Sequence, residues 1–201
     1  MAIKESSDEL NPAIITSQSV LALPRPARSH KDYLALIIAT CGVGFLPLAP
    51  GTWGSLVGVG LHTGLRRVLV GMLSPAMGTN TLAISYAVVA LELVGVVCIA
   101  LIGIWAGSRT ERLSGKKDPG KVVIDEVAGQ MLALTATPLA GTTWSIVLAF
   151  VAFRFFDIVK PYPARRLESL ESGLGIMADD IVAGAYAALA VAIVFLGQWS
   201  I

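Results

Sequence analysis

Val127-Ala-Gly-Gln-Met-Leu-Ala-Leu-Thr-Ala-Thr137 and Trp144-Ser-Ile-Val-Leu-Ala-Phe-Val-Ala-Phe153 are two apolar segments joined by Pro138-Leu-Ala-Gly-Thr-Thr143. They hold 11 and 10 residues, whereas a hydrocarbon core of ~30 Å needs about 20 residues of helix to cross it. Neither arm crosses alone. Pro138 and Gly141 supply a break between them. Basic loops flank the pair: 107–124 carries Arg109, Arg112, Lys116, Lys117 and Lys121, and 154–178 carries Arg154, Lys160, Arg165 and Arg166. Basic loops prefer the cytoplasm. Both flanks therefore stay on one side, and the segment between them enters and returns as a re-entrant helical hairpin.

The rest of the chain reads as membrane protein. It is 55% hydrophobic and 14% charged, with a mean hydropathy of +0.73. Thr81–Ala106 is broken only by Glu92, and Ile181–Trp199 carries no charge; both are long enough to span. Tyr33–Phe45 is a further apolar stretch, Leu46–Ser55 a Pro/Gly loop and Ser74–Asn80 a turn-like linker. Trp53–Leu73 is apolar but holds Arg66 and Arg67, which leaves two readings: a crossing helix whose arginines snorkel, or another half-buried arm. The expected fold is all-α, a polytopic membrane helical bundle with short re-entrant or half-spanning helices, in a single domain over 31–201. Residues 1–30 are polar, with Pro24 and Pro26, and read as a flexible cytoplasmic tail rather than a signal peptide. A net charge of +1 and the lack of a basic stripe argue against nucleic acid as a partner. Cys41 and Cys98 lie in apolar runs and read as packed thiols.

Against this apolar background the acids stand out. Asp125 and Glu126 head the first hairpin arm, Asp157 follows the second between Arg154 and Lys160, and Asp179-Asp180 open the last apolar run. A hairpin brings the first two clusters to one face, and a last helix starting inside brings the third. Carboxylates beside hydrocarbon are costly unless compensated, and three clusters on one face point to a divalent cation and a charged substrate. Each cluster also has a plainer reading. Asp125 and Glu126 suit the first turn of a helix, Asp179 and Asp180 suit an N-cap, and Arg154, Asp157 and Lys160 suit an i,i+3 ladder. Ala183 and Gly184 are small enough to let a neighbouring helix approach and draw Asp180 toward the other acids. In Pro50-Gly-Thr-Trp-Gly-Ser55, Thr52 or Ser55 can cap a helix whose free N–H groups favour an anion. Glu92 reads as a lone buried acid, paired or protonated, outside the site.

Several chemistries are missing. His30 sits in the tail and His62 in an apolar stretch, neither cysteine heads a thiolate loop, and there is no Asp-x-Asp, Gly-x-Ser-x-Gly or Walker sequence. Carboxylates, a metal and an activated water remain, and oxygen ligands of this kind suit Mg²⁺.

Four stretches, Gly44-Phe-Leu-Pro-Leu-Ala-Pro-Gly-Thr-Trp-Gly-Ser55, Asp118-Pro-Gly-Lys-Val-Val-Ile-Asp-Glu-Val-Ala-Gly129, Phe153-Arg-Phe-Phe-Asp-Ile-Val-Lys-Pro-Tyr-Pro163 and Gly173-Leu-Gly-Ile-Met-Ala-Asp-Asp-Ile-Val-Ala-Gly184, occur in this order. Together they resemble the phosphatidylglycerophosphatase A family of bacterial membrane lipid phosphatases, over roughly residues 33 to 199. The resemblance implies a multi-pass protein of the inner membrane, with its site facing the cytoplasm. It implies Mg²⁺-dependent removal of the terminal phosphate of phosphatidylglycerophosphate. It carries over Asp125, Glu126, Asp157, Asp179 and Asp180 as the acids, with Arg154 and Lys160 beside them. Asp125, Asp157 and Asp180 are then expected to hold Mg²⁺ with Asp179 close by. Glu126 orients or deprotonates a water, and Arg154, Lys160, Thr52 and Ser55 contact phosphate. The polar tail and the 66–80 region depart from the family pattern, and oligomeric state stays open. A CDP-alcohol phosphotransferase is the rival enzyme, but its Asp-Gly-x-x-Ala-Arg run is absent. A small transporter lined by carboxylates is the rival of another class; it predicts acids at mid-membrane.

Overall fold

Large apolar side chains face outward from this bundle, and small ones fill much of its interior. Leu82, Tyr86, Val94, Val97 and Leu101 on one helix, and Leu189, Ile193 and Leu196 on another, are exposed, while Ala35, Ala39, Ala106, Ala128, Ala133, Ala149, Ala183 and Ala187 are buried. That inversion suits lipid outside and close helix packing inside. The coordinates are a computed structural model that describes residues 28–198; residues 1–27, and with them most of the expected tail, lie outside the described residues.

Seven α-helices, and no strand, make up the described residues: α1 (His30–Thr40), α2 (Pro50–Met77), α3 (Thr81–Ser114), α4 (Ile124–Leu134), α5 (Thr143–Val159), α6 (Ala164–Leu167) and α7 (Ser172–Gln198), with a 3-10 turn at Val43–Phe45. α2, α3 and α7 are each long and apolar enough to cross a membrane. Local chemistry sets their ends. α2 begins with Pro50 at its first turn, where no N–H is needed. Asn80 caps α3 by accepting from the Ala83 N–H, and Gly115, left-handed at φ 67°, closes it by donating to Glu111 O. The expected linker from Ser74 shrinks to Gly78–Asn80, because α2 runs on through Pro75 to Met77. α3 likewise runs on through Arg109 and Arg112, which the sequence reading placed in a loop.

The hairpin is present. α4 has 11 residues, about 16 Å of helix, and stops before the turn in which Gly141 N–H donates to Pro138 O at 2.9 Å. α5 starts on a Thr142 cap and returns over 17 residues, ending at Val159 and not at Phe153 as expected. α4 sits at the centre and packs against α7, α2, α3 and α5. Small residues permit this: a Cβ at Gly184 on α7 would collide with the Gly129 carbonyl on α4, and one at Gly129 would lie 2.5 Å from Asp180 O.

Two expectations are corrected. α7 begins at Ser172 and not near Ile181, so Asp179 and Asp180 lie two turns inside the helix and cannot cap it. α2 is one continuous helix of 28 residues, and Arg66 does not snorkel from it. Arg66 is buried, with Nε 2.7 Å and Nη2 2.9 Å from the two oxygens of Glu92 on α3. Glu92 is therefore paired and not alone, and His62 Nε2 lies 3.3 Å from it.

Candidate active site

The first residues of α4, the last turn of α5, the first two turns of α7 and the loops 115–123 and 160–171 converge on one cavity of about 620 Å³. Its lining includes Asp125, Glu126, Asp157, Asp179 and Asp180, all five acids expected from the sequence. The hairpin makes this possible, since α4 starts and α5 ends at the same end of the bundle.

The structure divides the five. Asp125, Glu126 and Asp180 each present one carboxylate oxygen, and these lie within 4.8 Å of one another. Asp125 Oδ1, Glu126 Oε2 and Asp180 Oδ2 are buried with no hydrogen-bond partner. Unit charges so close repel by roughly 4 kcal/mol a pair at an effective dielectric near 20. Burial, then the neighbouring Glu126 and Asp180 charges, pushes the Asp125 carboxyl well above its usual range; burial likewise raises Glu126. Such a trio needs protons or a cation. Three converging oxygen donors without partners fit a hard divalent ion.

Asp157 and Asp179 each have a basic partner on one oxygen, although Asp179 Oδ1 is buried without one. Arg154 Nη1 donates to Asp157 Oδ2 at 2.6 Å, and Lys160 Nζ to Asp179 Oδ2 at 2.6 Å. Asp157 also adjoins Asp180. Arg154 and Asp157 realise the expected i,i+3 contact, but Lys160 has left the helix: it is the cap residue of α5, left-handed at φ 46°, and so turns toward α7. Burial alone would lower the Lys160 ammonium, but the bond and charge of Asp179 outweigh it and hold the group above its ordinary value.

A family model described as PgpA, Phosphatidylglycerophosphatase A, matches residues 36–195. The chain belongs to the phosphatidylglycerophosphatase A family. It is 37% identical over 157 residues to phosphatidylglycerophosphatase A of Haemophilus influenzae, covering 78% of this chain and 85% of that one. It is 31% identical over 154 residues to phosphatidylglycerophosphatase A of Escherichia coli, covering 76% and 78%. It is also 36% identical over 164 residues, 81% and 94% of the two chains, to a Bacteroides thetaiotaomicron protein named "Putative phosphatidylinositol-3-phosphatase". No solved structure matches the chain. Family membership makes this protein an enzyme, a phosphatase of phospholipid metabolism.

In this member of the phosphatidylglycerophosphatase A family, Thr52, Ser55 and Arg154 do not line the cavity, whereas Lys160 does. The Thr52 N–H donates to Ala49 O, and the buried Ser55 hydroxyl donates to Gly51 O at 2.9 Å. The start of α2 still meets the site, through Gly51: a Cβ there would collide with Glu126 Oε1 and lie 3.0 Å from Arg154 Nη1. Asp118 and Glu168, and with them Lys117 and Arg165, which read from the sequence only as loop charges, also line the cavity without having been expected in the site. Asp118 was quoted only as part of a motif; its Asp-Pro-Gly setting reads as a turn. Asp118 is exposed overall, though crowding at the cavity mouth desolvates and raises its carboxyl, and its φ of 43° marks a position held against ordinary backbone preference.

Proposed function

We propose that this chain hydrolyses the terminal phosphate of phosphatidylglycerophosphate, releasing phosphatidylglycerol and inorganic phosphate, with Mg²⁺ as its metal. The observation that carries the reading is the trio of buried, unpartnered oxygens of Asp125, Glu126 and Asp180 inside the cavity. The lining sets seven carboxylates against three basic side chains, so a phosphorylated substrate approaches favourably only with a cation in place. The family's name, and those of the Haemophilus influenzae and Escherichia coli relatives, supply the lipid. The Bacteroides thetaiotaomicron name designates a different lipid; both carry a phosphate monoester on a headgroup alcohol.

Asp125, Glu126 and Asp180 are the residues that would hold the ion. An ion held there would supply Lewis-acid polarisation of a phosphate oxygen and would lower the pKa of a water. Glu126 is half-buried and lines the cavity, so a cavity water can reach it. Glu126 orients that water and takes its proton as the water attacks phosphorus and the P–O bond to the headgroup alcohol breaks; the departing alkoxide then takes up that proton. Lys160, in the lining, offsets the charge that grows on the phosphoryl oxygens, and Arg154 adds its field from behind Asp157. Asp157 and Asp179 hold those two cations in position.

Placement follows from charge. Arg109, Arg112, Lys116, Lys117, Lys121, Arg165 and Arg166 lie at the cavity end, in the last turns of α3 and in the loops and short helix that follow, while Gly78–Asn80 and the hairpin turn Pro138–Thr142 at the other end carry no charge. That bias favours a bacterial inner-membrane protein whose cavity opens to the cytoplasm. The rival transporter reading would use an acid at mid-membrane, but Glu92, well inside the spanning helix α3, is closed off by Arg66, and Asp179 and Asp180 lie near the start of α7.

The test is phosphate release by the purified chain in nonionic detergent from phosphatidylglycerophosphate, phosphatidylinositol 3-phosphate and phosphatidic acid. Each lipid is assayed with Mg²⁺ and with EDTA. Release from phosphatidylglycerophosphate that stops on chelation supports the reading. Release undiminished by EDTA rejects the metal, and release only from the inositol lipid rejects the substrate.

A further inference from the structure

Two basic side chains in the cavity have no task in the reaction just described. Lys117, in the loop between α3 and α4, and Arg165, on α6, both line it. The other cations nearby are committed. Arg154 and Lys160 are each held at 2.6 Å by an aspartate, and Arg166 stacks over the Tyr162 ring with its guanidinium 5.5 Å from the centroid. Neither Lys117 nor Arg165 forms a salt bridge among the described residues.

Their height in the cavity is informative. Lys117 and Arg165 are exposed, whereas Asp125 and Asp180 are buried. Ser172, which starts α7, also lines the cavity, and Asp180 lies eight residues further along that helix, about 12 Å deeper. The cavity thus has an acidic floor, and its rim sets Lys117 and Arg165 beside two exposed acids: Asp118, which feels the Lys117 charge, and Glu168, 3.4 Å from Lys160. A lipid with its phosphate monoester on that floor carries a second phosphate, the diester joining headgroup to diacylglycerol, one alcohol unit back toward the mouth.

We propose that Lys117 and Arg165 form a second phosphate subsite that grips the phosphodiester of the lipid. It selects phospholipids with a phosphorylated headgroup over those whose only phosphate is the monoester. The proposal rests on the hydrolase reading above. The guanidinium of Arg165 can take two diester oxygens at once, and the Lys117 ammonium adds a mobile point charge. The diester keeps one negative charge throughout hydrolysis of the monoester. Contacts to it therefore bind ground state and transition state alike, and they act on KM rather than kcat.

The test uses the full chain in nonionic detergent micelles with Mg²⁺, which removes any general attraction to an anionic surface. Two substrates are compared: phosphatidylglycerophosphate, and an analogue whose diester is replaced by an uncharged methylphosphonate. For the double variant Lys117→Ala/Arg165→Ala, KM for the natural lipid is expected to rise about 10- to 100-fold, with kcat within about twofold of wild type. On the analogue, wild type and variant should share one KM, and Lys117→Arg should keep the wild-type preference. An unchanged KM on phosphatidylglycerophosphate, or an equal rise on both substrates, overturns the subsite. Failure of the wild type to hydrolyse phosphatidylglycerophosphate rejects the hydrolase reading and the subsite with it. Wild-type turnover with an indifferent double variant rejects the subsite alone.

Discussion

Two buried charged clusters sit in this bundle, and they are built on opposite principles. Around Arg66, almost everything is partnered. Its Nε and Nη2 hold both oxygens of Glu92, Nη1 donates to Thr137 Oγ1 at 2.8 Å and to the carbonyls of Thr137 and Pro138, and Nη2 reaches Leu134 O at 3.3 Å. Those carbonyls are the orphan acceptors at the end of α4 and its turn, so Arg66 ties the hairpin tip to α2 and α3. Around Asp125, Glu126 and Asp180 the reverse holds: the three carboxylates converge, and each has one buried oxygen with no hydrogen-bond partner. A satisfied cluster is complete without anything from outside, whereas an unsatisfied one calls for an ion or a substrate. Both are buried acids in an apolar chain; their partners alone separate structure from chemistry.

Substitutions that keep shape but remove charge should pull the two clusters apart. Asp125→Asn or Asp180→Asn should cost about 10³-fold or more in phosphate release, while the folded bundle survives or gains stability from relieved repulsion. The check is turnover alongside thermal unfolding in detergent, where added Mg²⁺ should raise the wild-type midpoint and leave that of the variant unmoved. Turnover near wild type in either variant would remove the trio from the site. Glu126→Gln should lose about 10²- to 10⁴-fold in kcat, as expected for a lost general base; a change confined to KM would argue for a role in binding only.

The Arg66 cluster should respond in stability instead. Arg66→Met leaves Glu92 buried and unpaired and should cost roughly 3–5 kcal/mol, and the double variant Arg66→Met/Glu92→Leu should recover most of that. Denaturation in detergent reads this out. If the double variant is as unstable as the single one, the pair is more than a mutually cancelling clamp.

The smallest effect probes the field of the acid trio at a distance. Burial, and then the Glu126 charge, pushes the Cys41 thiol up to about 11. Below that value the thiolate fraction grows about tenfold per pH unit, so alkylation of Cys41 should accelerate steadily up to pH ~11. In a Cys98→Ser background without metal, Glu126→Gln should lower the Cys41 pKa and speed alkylation a few-fold at pH 8. Glu92→Gln should leave the rate unchanged, because only Glu126 adds its charge to that thiol.

Legibility differed between elements for physical reasons. The hairpin could be read because arm length against bilayer thickness is a one-dimensional quantity, and Pro138 and Gly141 mark its turn. The start of α7 could not: Ser172–Met177 is short of strong helix signals, and Gly173 and Gly175 read as a loop. Yet a Cβ at Gly173 would collide with Ile104 O, so that glycine is there to let α7 lie against α3. Arg66 looked misplaced because its partner Glu92 is 26 residues away on another helix. Asp118 was missed because an Asp-Pro-Gly turn is ordinary until the fold sets it in a cavity of carboxylates.

The sequence by itself determined the class of the molecule, the re-entrant hairpin and the five acids gathered at one end, since hydropathy, run length and charge placement act along the chain. Tertiary structure alone decided which acids stand together and which are paired. Asp179 and Asp180 are adjacent in sequence, but about 100° separates successive side chains on a helix. That rotation turns Asp179 to Lys160 and Asp180 to Asp125 and Glu126. Only the packing of α4 against α7 through Gly129 and Gly184 brings that difference to bear on a site.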